Sequence, residues 1–296
     1  MKALATSPAA VAWEEALVKL LAIARRNEWG IIDSQDSNFL HDYRVALRKM
    51  RTLIGAFKNH VRVSVRCKKD LSHVFRQTNL LRDLDVHLML RGSLEEKLPP
   101  QLRGGLDVFF QELQKSREKE ARVLCAYIES AAYQESMKSL EQDLHRRGSD
   151  VDSEPIRKVA FKIIQKRFGR ICKLGHLVDQ SSPDSLIHEI RIRLKKLRYL
   201  LDIFSPFFDV KNTKYLKREL SKLQTVLGHF NDTVVLKNYF LNQATKPSHA
   251  KSPRLALSLG GLIGSLHQEH AVLRADVIKR LRKFCRSKNS NRIRSL

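Results

Sequence analysis

Apolar residues recur every three or four positions along almost the whole chain, the spacing that lines one side of an α-helix. Helices are expected over 12–26, 37–58, 69–90 and 102–128, the last running on toward 145. The second half repeats the order, with helices over 156–177, from a start at Ser182-Pro183-Asp184, over 214–243 and over 255–285. Gly and Pro gather at the breaks, at Gly92, Pro99-Pro100, Pro247 and Pro253. Ser182 suits an N-cap, Pro183 the first turn, and Asp184 the positive end of the helix dipole. The segment 148–155 reads as a mid-chain linker. No run of useful length alternates as a strand does. The expected fold is therefore all-α: two four-helix bundles over 1–148 and 149–296, related by internal duplication and pseudo-twofold symmetry.

The duplication is explicit in one helix. His41 to Phe57 reads HDYRVALRKMRTLIGAF, and 147 residues later His188 to Phe204 reads HEIRIRLKKLRYLLDIF. Seven of the 17 positions are identical, and Arg48/Lys195 and Met50/Leu197 change conservatively. At 100° per residue His41, Arg44, Arg48 and Arg51 lie within roughly 80° of one another. Leu47, Met50, Leu53, Ile54 and Phe57 face the other way. In the second copy His188, Arg191, Lys195 and Arg198 form the polar stripe, and Ile190, Leu194, Leu197, Leu201 and Phe204 the apolar one. Neither stripe carries an acid within it, although Asp202 lies one turn beyond Arg198. Solvated helix faces usually mix signs, because like charges at i,i+4 cost about 0.2–0.5 kcal/mol. A self-repelling row kept twice fits a polyanionic ligand. Arginine's planar fork matches phosphate oxygens, and a histidine beside a polyanion has its charged form favoured. If the halves pack about a twofold axis, the two basic helices face each other across a groove that concentrates positive potential.

A second repeated element follows, in which Arg82-Asp83-Leu84-Asp85-Val86 aligns with Asn231-Asp232-Thr233-Val234-Val235, 149 residues on. Asp83 and Asp232 hold matching places, with Arg82 and Lys222 in supporting positions of the same elements. Paired carboxylates suit acid–base work or a metal, but nothing resembling a metal shell accompanies them. Orienting nearby arginines is the favoured role.

Composition narrows the partner. The 55 Lys and Arg against 31 Asp and Glu leave a formal charge of +24 and a pI near 10.2. Such a balance points to inorganic polyphosphate, nucleic acid or an anionic surface. At 43% hydrophobic, the chain still buries a core. Cys67, Cys125, Cys172 and Cys285 show no CxxC or zinc-type spacing, so reduced, incidental thiols in a cytoplasmic protein are expected. Glu14, Glu15 and Lys19 interrupt any secretory signal, and no run reaches the 18 apolar residues of a membrane span. There is no P-loop, nucleophile elbow or dinucleotide glycine motif. His267 and His270, three apart on a helix, offer at most one edge of a metal site. The basic end, from Lys279 to Arg294, reads as a frayed tail or an accessory nucleic-acid contact.

The paired patterns His41-Asp42-Tyr43-Arg44-Val45-x-x-Arg48-Lys49-x-Arg51 and His188-x-x-Arg191-x-x-x-Lys195-Lys196-Leu197-Arg198-Tyr199 resemble the CHAD family. Arg82-Asp83-Leu84-Asp85-Val86 and Leu227-Gly228-His229-Phe230-Asn231-Asp232 resemble its second-helix signatures, and the likeness spans about residues 10–286. Leu80-Leu81 stands where Leu-Gly is commoner in the first copy. The resemblance implies two symmetric four-helix bundles that bind inorganic polyphosphate in a basic central channel. It also implies, as ligand contacts, His41, Arg44, Arg48, Lys49, Arg51, His188, Arg191, Lys195, Lys196 and Arg198. The Glu-x-Glu-x-Lys strand of the tunnel enzymes often fused to this family is absent, so no catalytic residue and no cofactor are expected. Three readings compete: a polyphosphate-binding module, in the cytoplasm or on polyphosphate granules; a nucleic-acid phosphate-backbone binder; and a metal-dependent phosphohydrolase.

Overall fold

The computed structural model describes residues 8–33, 36–61, 63–145, 154–250 and 252–296. The expected linker falls, up to residue 153, outside the described residues. Among the described residues eleven principal helices follow in order: α1 Ala9–Asp33, α2 Ser37–Ala56, α3 Val65–Gln77, α4 Asn79–Met89, α5 Asp107–Glu129, α6 Ala131–His145, α7 Ile156–Gly175, α8 Asp184–Phe204, α9 Val210–Ala244, α10 Pro253–Phe284 and α11 Ser287–Arg294. Short helical turns occur at Arg91–Glu95, Pro100–Arg103 and Pro247–Ala250. The fold is all-α, and extended pairing among the described residues is limited to one isolated bridge between Pro8 and Pro155. None of the described helices is long and apolar enough to cross a membrane.

Two expected helices are each broken in two, and the reason is local chemistry. The helix expected over 69–90 starts earlier, where Ser64 Oγ caps Cys67 N–H, and stops at Thr78. Thr78 Oγ1 donates to Phe75 O at 2.7 Å, a side-chain bond that competes with helical continuation. The long fourth helix breaks at Ser130, whose Oγ donates to Tyr127 O at 2.6 Å and accepts from Tyr133 N–H. A third difference concerns the cap of α8. Ser182 is not its N-cap; that position is Pro183, without a side-chain cap bond. The Ser182 hydroxyl turns back instead, donating to Leu177 O at 3.2 Å and accepting from Asp179 N–H at 3.0 Å.

Packing divides the chain into two compact units, 1–89 with 113–161, and 90–112 with 162–296. These differ from the halves expected at 148/149. The stretch 90–112 joins the second unit because it is fastened to α10: Ser258 Oγ donates to Leu102 O at 2.6 Å, and Lys97 Nζ meets Glu269 at 2.7 Å. Gly105 makes the approach possible, since a Cβ there would fall 2.5 Å from Arg254 O. At the start of α5, Phe109 packs against Phe110, Tyr239, Phe240 and His249.

In unit 1, α2 buries Leu40, Tyr43, Leu47, Met50, Leu53 and Ile54, and Phe57 follows as its C-cap. In unit 2, α8 buries Ile187, Ile190, Leu194, Leu197, Leu201 and Phe204, packing on α9. Each fully buried side chain of this size contributes roughly 1.5–3 kcal/mol. This burial fixes the rotation of both basic helices, and with it the side on which their cations stand.

Candidate functional site

In unit 1 the stripe of α2 meets the α3–α4 junction. Arg44 is buried, 7% exposed, and lies over the Phe75 ring at 4.5 Å. Its Nη1 donates to Thr78 Oγ1, to Asn79 Oδ1 at 2.9 Å and weakly to Phe75 O at 3.5 Å. Arg51, two turns further on, lies over the same ring at 5.0 Å. Phe75 therefore holds two guanidiniums, each such contact worth about 0.5–2 kcal/mol.

The electrostatics record how crowded these cations are. Burial first, and the neighbouring charge of Arg48 second, push the Arg44 guanidinium down to about 10, against a partial counter-effect from Asp83. Burial and then Arg76 lower Arg51. Burial lowers Arg82, with Arg48 adding to the shift and Asp85 and Asp83 opposing it. Arg44, Arg48 and Arg82 thus form one like-charged cluster. Arg48 Nε is buried and makes no hydrogen bond among the described residues. His41 is half-buried at the start of the stripe. The matching acid, Asp83, is exposed at the cluster's edge, whereas Asp85 is engaged inside the bundle by Arg117 at 3.0 Å.

In unit 2 the stripe of α8 is laced to α9. His188 donates from Nδ1 to Asn231 Oδ1, and Asn231 Nδ2 donates to Asp232 Oδ1 at 3.4 Å. The same Asp232 oxygen lies 3.5 Å from Arg191 Nη2. Arg198 donates to Gln224 Oε1 at 3.0 Å and lies 3.8 Å from Asp202. Lys195 is half-buried and Lys196 exposed. Positions that align in sequence take equivalent partners: Arg51 with Phe75 and Arg198 with Gln224, Arg44 with Asp83 and Arg191 with Asp232.

The acids expected beside the stripes are there: Asp83 and Asp232 come from the adjoining helices and Asp202 from the end of α8. The stripes differ from their sequence picture in two respects. Arg44 is a buried clasp, not an outward-facing cation. Lys49 stands apart from the Arg44–Arg48–Arg82 cluster, lining an open cleft between α1 and α2 with Trp29, Phe39 and Asp42. Lys222 is tied to Glu219 at 2.9 Å, and so is partly neutralised.

Several partners were not legible in advance. Phe75, Thr78, Asn79 and Gln224 carry no charge signature and are not repeated at matching places in the other copy, so no sequence signal flagged them. The histidine pair resolves differently. His270 Nε2 bonds Asp184 Oδ1 at 3.1 Å beside Arg274, fastening α10 to the start of α8, while His267 is exposed. No group of three His, Cys, Asp or Glu suited to a metal occurs among the described residues. The basic end is not frayed. Helix α11 docks on α9 through Arg292 Nη1 to Asn212 Oδ1 at 2.6 Å, with Ile293 and Leu296 buried. Arg218, Lys288 and Arg292 surround Tyr215 at 5.4–5.6 Å, a second basic cluster in unit 2.

Comparison with known proteins agrees with this architecture. Among solved structures, the crystal structure of the CHAD domain from the plant Ricinus communis matches with a TM-score of 0.79 at 21% identity, covering 94% of this chain and 93% of that one. PptA from Streptomyces chartreusis matches with a TM-score of 0.69 at 15% identity, covering 93% and 100%. At those identities the likeness is one of fold. No curated protein matches the sequence. A family model described as the CHAD domain matches residues 15–241. The chain therefore belongs to the CHAD domain family.

Proposed function

We propose that this protein binds inorganic polyphosphate through the basic faces of α2 and α8, making and breaking no covalent bond. The observation that carries the reading is the gathering of Arg44, Arg48 and Arg82, whose nearest charged neighbours include one another. A phosphate chain laid along Arg48 and Arg82 relieves that repulsion and supplies acceptors to their guanidinium donors. Phe75, Thr78 and Asn79 fix Arg44, so the face is organised before ligand arrives. In unit 2 the chain from His188 through Asn231 to Asp232 and Arg191 plays the same part. Asp83 and Asp232 serve as orienting groups, which suits their sharing of guanidinium partners and their exposure. A protein of this kind belongs in the cytoplasm, where it would associate with polyphosphate granules.

Titration calorimetry with polyphosphate of defined length, set beside single- and double-stranded oligonucleotides at one ionic strength, tests this. Polyphosphate should bind the more tightly, with affinity falling linearly in log salt as several phosphates are neutralised together. Arg48→Glu with Arg82→Glu should abolish binding by unit 1's face, and Arg191→Glu with Lys195→Glu by unit 2's. Normal binding by the fourfold variant refutes the assignment. Tighter binding of oligonucleotide moves it to nucleic acid, and release of orthophosphate with a divalent metal moves it to hydrolysis.

A further inference from the structure

Spacing marks none of the four cysteines as a pair, yet in unit 2 two of them meet. Cys172 lies on α7, and Cys285 is the C-cap of α10, its N–H donating to Leu281 O at 3.0 Å. The two segments are pinned on either side of the sulfurs. One turn before Cys172, Phe168 packs on Phe284 with ring centroids 5.5 Å apart. One turn after it, a Cβ at Gly175 would lie 3.3 Å from Cys285 Sγ and 3.8 Å from Leu281 Cδ2. Phe168, Cys172 and Gly175 share one face of α7, so Cys285 sits against the turn that carries Cys172.

The thiols bond to each other. Cys172 donates to the Cys285 sulfur, which raises Cys172, with burial adding to the effect, and lowers Cys285. Each is half-buried, leaving a small oxidant a route. The other cysteines lack this arrangement. Burial, and then Asp143, push Cys67 up to about 12, and burial followed by Glu129 raises Cys125. A thiolate is the reactive form, so the pair holds one sulfur suited to attack and a second positioned to resolve it.

We propose that Cys172 and Cys285 are an oxidation site, closing to an intrachain disulfide when the protein meets a hydroperoxide. The Cys285 thiolate attacks the terminal peroxide oxygen, the O–O bond breaks, and the leaving oxygen departs with a proton as water or alcohol. Cys285 is then a sulfenic acid. The Cys172 sulfur attacks the Cys285 sulfur, the S–O bond breaks, and the hydroxide leaves with the Cys172 proton as water. Two thiols are oxidised and one peroxide is reduced. The bond joins α7 to the end of α10, directly before α11 and its Tyr215 cluster.

The test is hydrogen peroxide titration of the full chain, followed by thiol counting and peptide mapping. Two of the four thiols should disappear in step, with one crosslinked peptide containing Cys172 and Cys285, and dithiothreitol should restore both. Cys172→Ser should trap a dimedone-reactive sulfenic acid on Cys285, and Cys172→Ala should do the same. Cys285→Ser should leave Cys172 unoxidised at peroxide levels that convert the wild type. The oxidised protein should melt several degrees higher than the reduced one. Loss of Cys67 or Cys125 at the same rate, a crosslink between two molecules, or dimedone labelling of Cys172 in place of Cys285 overturns the proposal.

Discussion

Replacing Arg48 by methionine isolates the electrostatic claim, because the side chain keeps an unbranched apolar stem while losing its guanidinium charge and its buried Nε. The fall of the Arg44 guanidinium from its ordinary value to about 10 corresponds to roughly 3 kcal/mol at 1.36 kcal/mol per pKa unit. Burial is the larger cause and Arg48 the next. A like-charged pair four residues apart costs about 0.2–0.5 kcal/mol on an open helix, and more where water is partly excluded. Arg48 also presses on Arg82, so removing it should stabilise the free protein by about 0.5–1 kcal/mol. Relief of the unbonded Nε acts in the same direction. The melting temperature should rise by about 2 °C, given 2–4 °C per kcal/mol for a domain of this size. The gain should shrink between about 0.05 and 0.3 M salt, as screening removes the repulsion in the wild type as well. Polyphosphate, which should raise the wild-type melting temperature, should do so much less for Arg48→Met. Calorimetric scans of both proteins at two salt concentrations, with and without polyphosphate, measure all of this. If Arg48→Met melts lower than the wild type without ligand, Arg48 is a stabilising contact and the cluster is not poised for an anion.

Arg44→Ala should act oppositely, lowering the unfolding free energy by roughly 1–3 kcal/mol because the clasp on Thr78 and Asn79 is lost. Urea denaturation reads this, and an unchanged midpoint contradicts the clasp. Asp85→Asn should cost about 2 kcal/mol, below the 3–5 of a wholly buried pair, because Arg117 keeps 17% of its side-chain exposure. Adding Arg117→Met should recover much of that loss. Burial lowers His87, against a smaller opposing effect of Asp83. Its folded value is below the unfolded one, so the unfolded chain binds the proton more readily. The stability involved is complete above about 6.5 and declines as pH falls through that value toward the folded one. His87→Gln should flatten this part of the stability–pH curve, and an identical slope excludes His87.

Much of the fold was legible because helices are local. The apolar stripes of α2 and α8 predicted their buried sides position by position, from Leu47 and Leu53 to Leu194 and Phe204. The breaks at Thr78 and Ser130 were not legible, since a single hydroxyl can serve a helix interior or end it. Which occurs depends on the bonds waiting there: at Thr78 the donor is Arg44, 34 positions earlier.

The amino-acid order by itself determined the helical class, the repeated basic row and the chemistry of its cations, because each follows from residue type and a 3.6-residue period. Tertiary structure decided which cations work together. It buried Arg44 against Phe75, turned Lys49 to another cleft, brought Asp232 to Arg191 and set Cys172 on Cys285. These pairings join residues tens to over a hundred positions apart. Periodicity carries no information on such distances; packing of the apolar sides alone sets them.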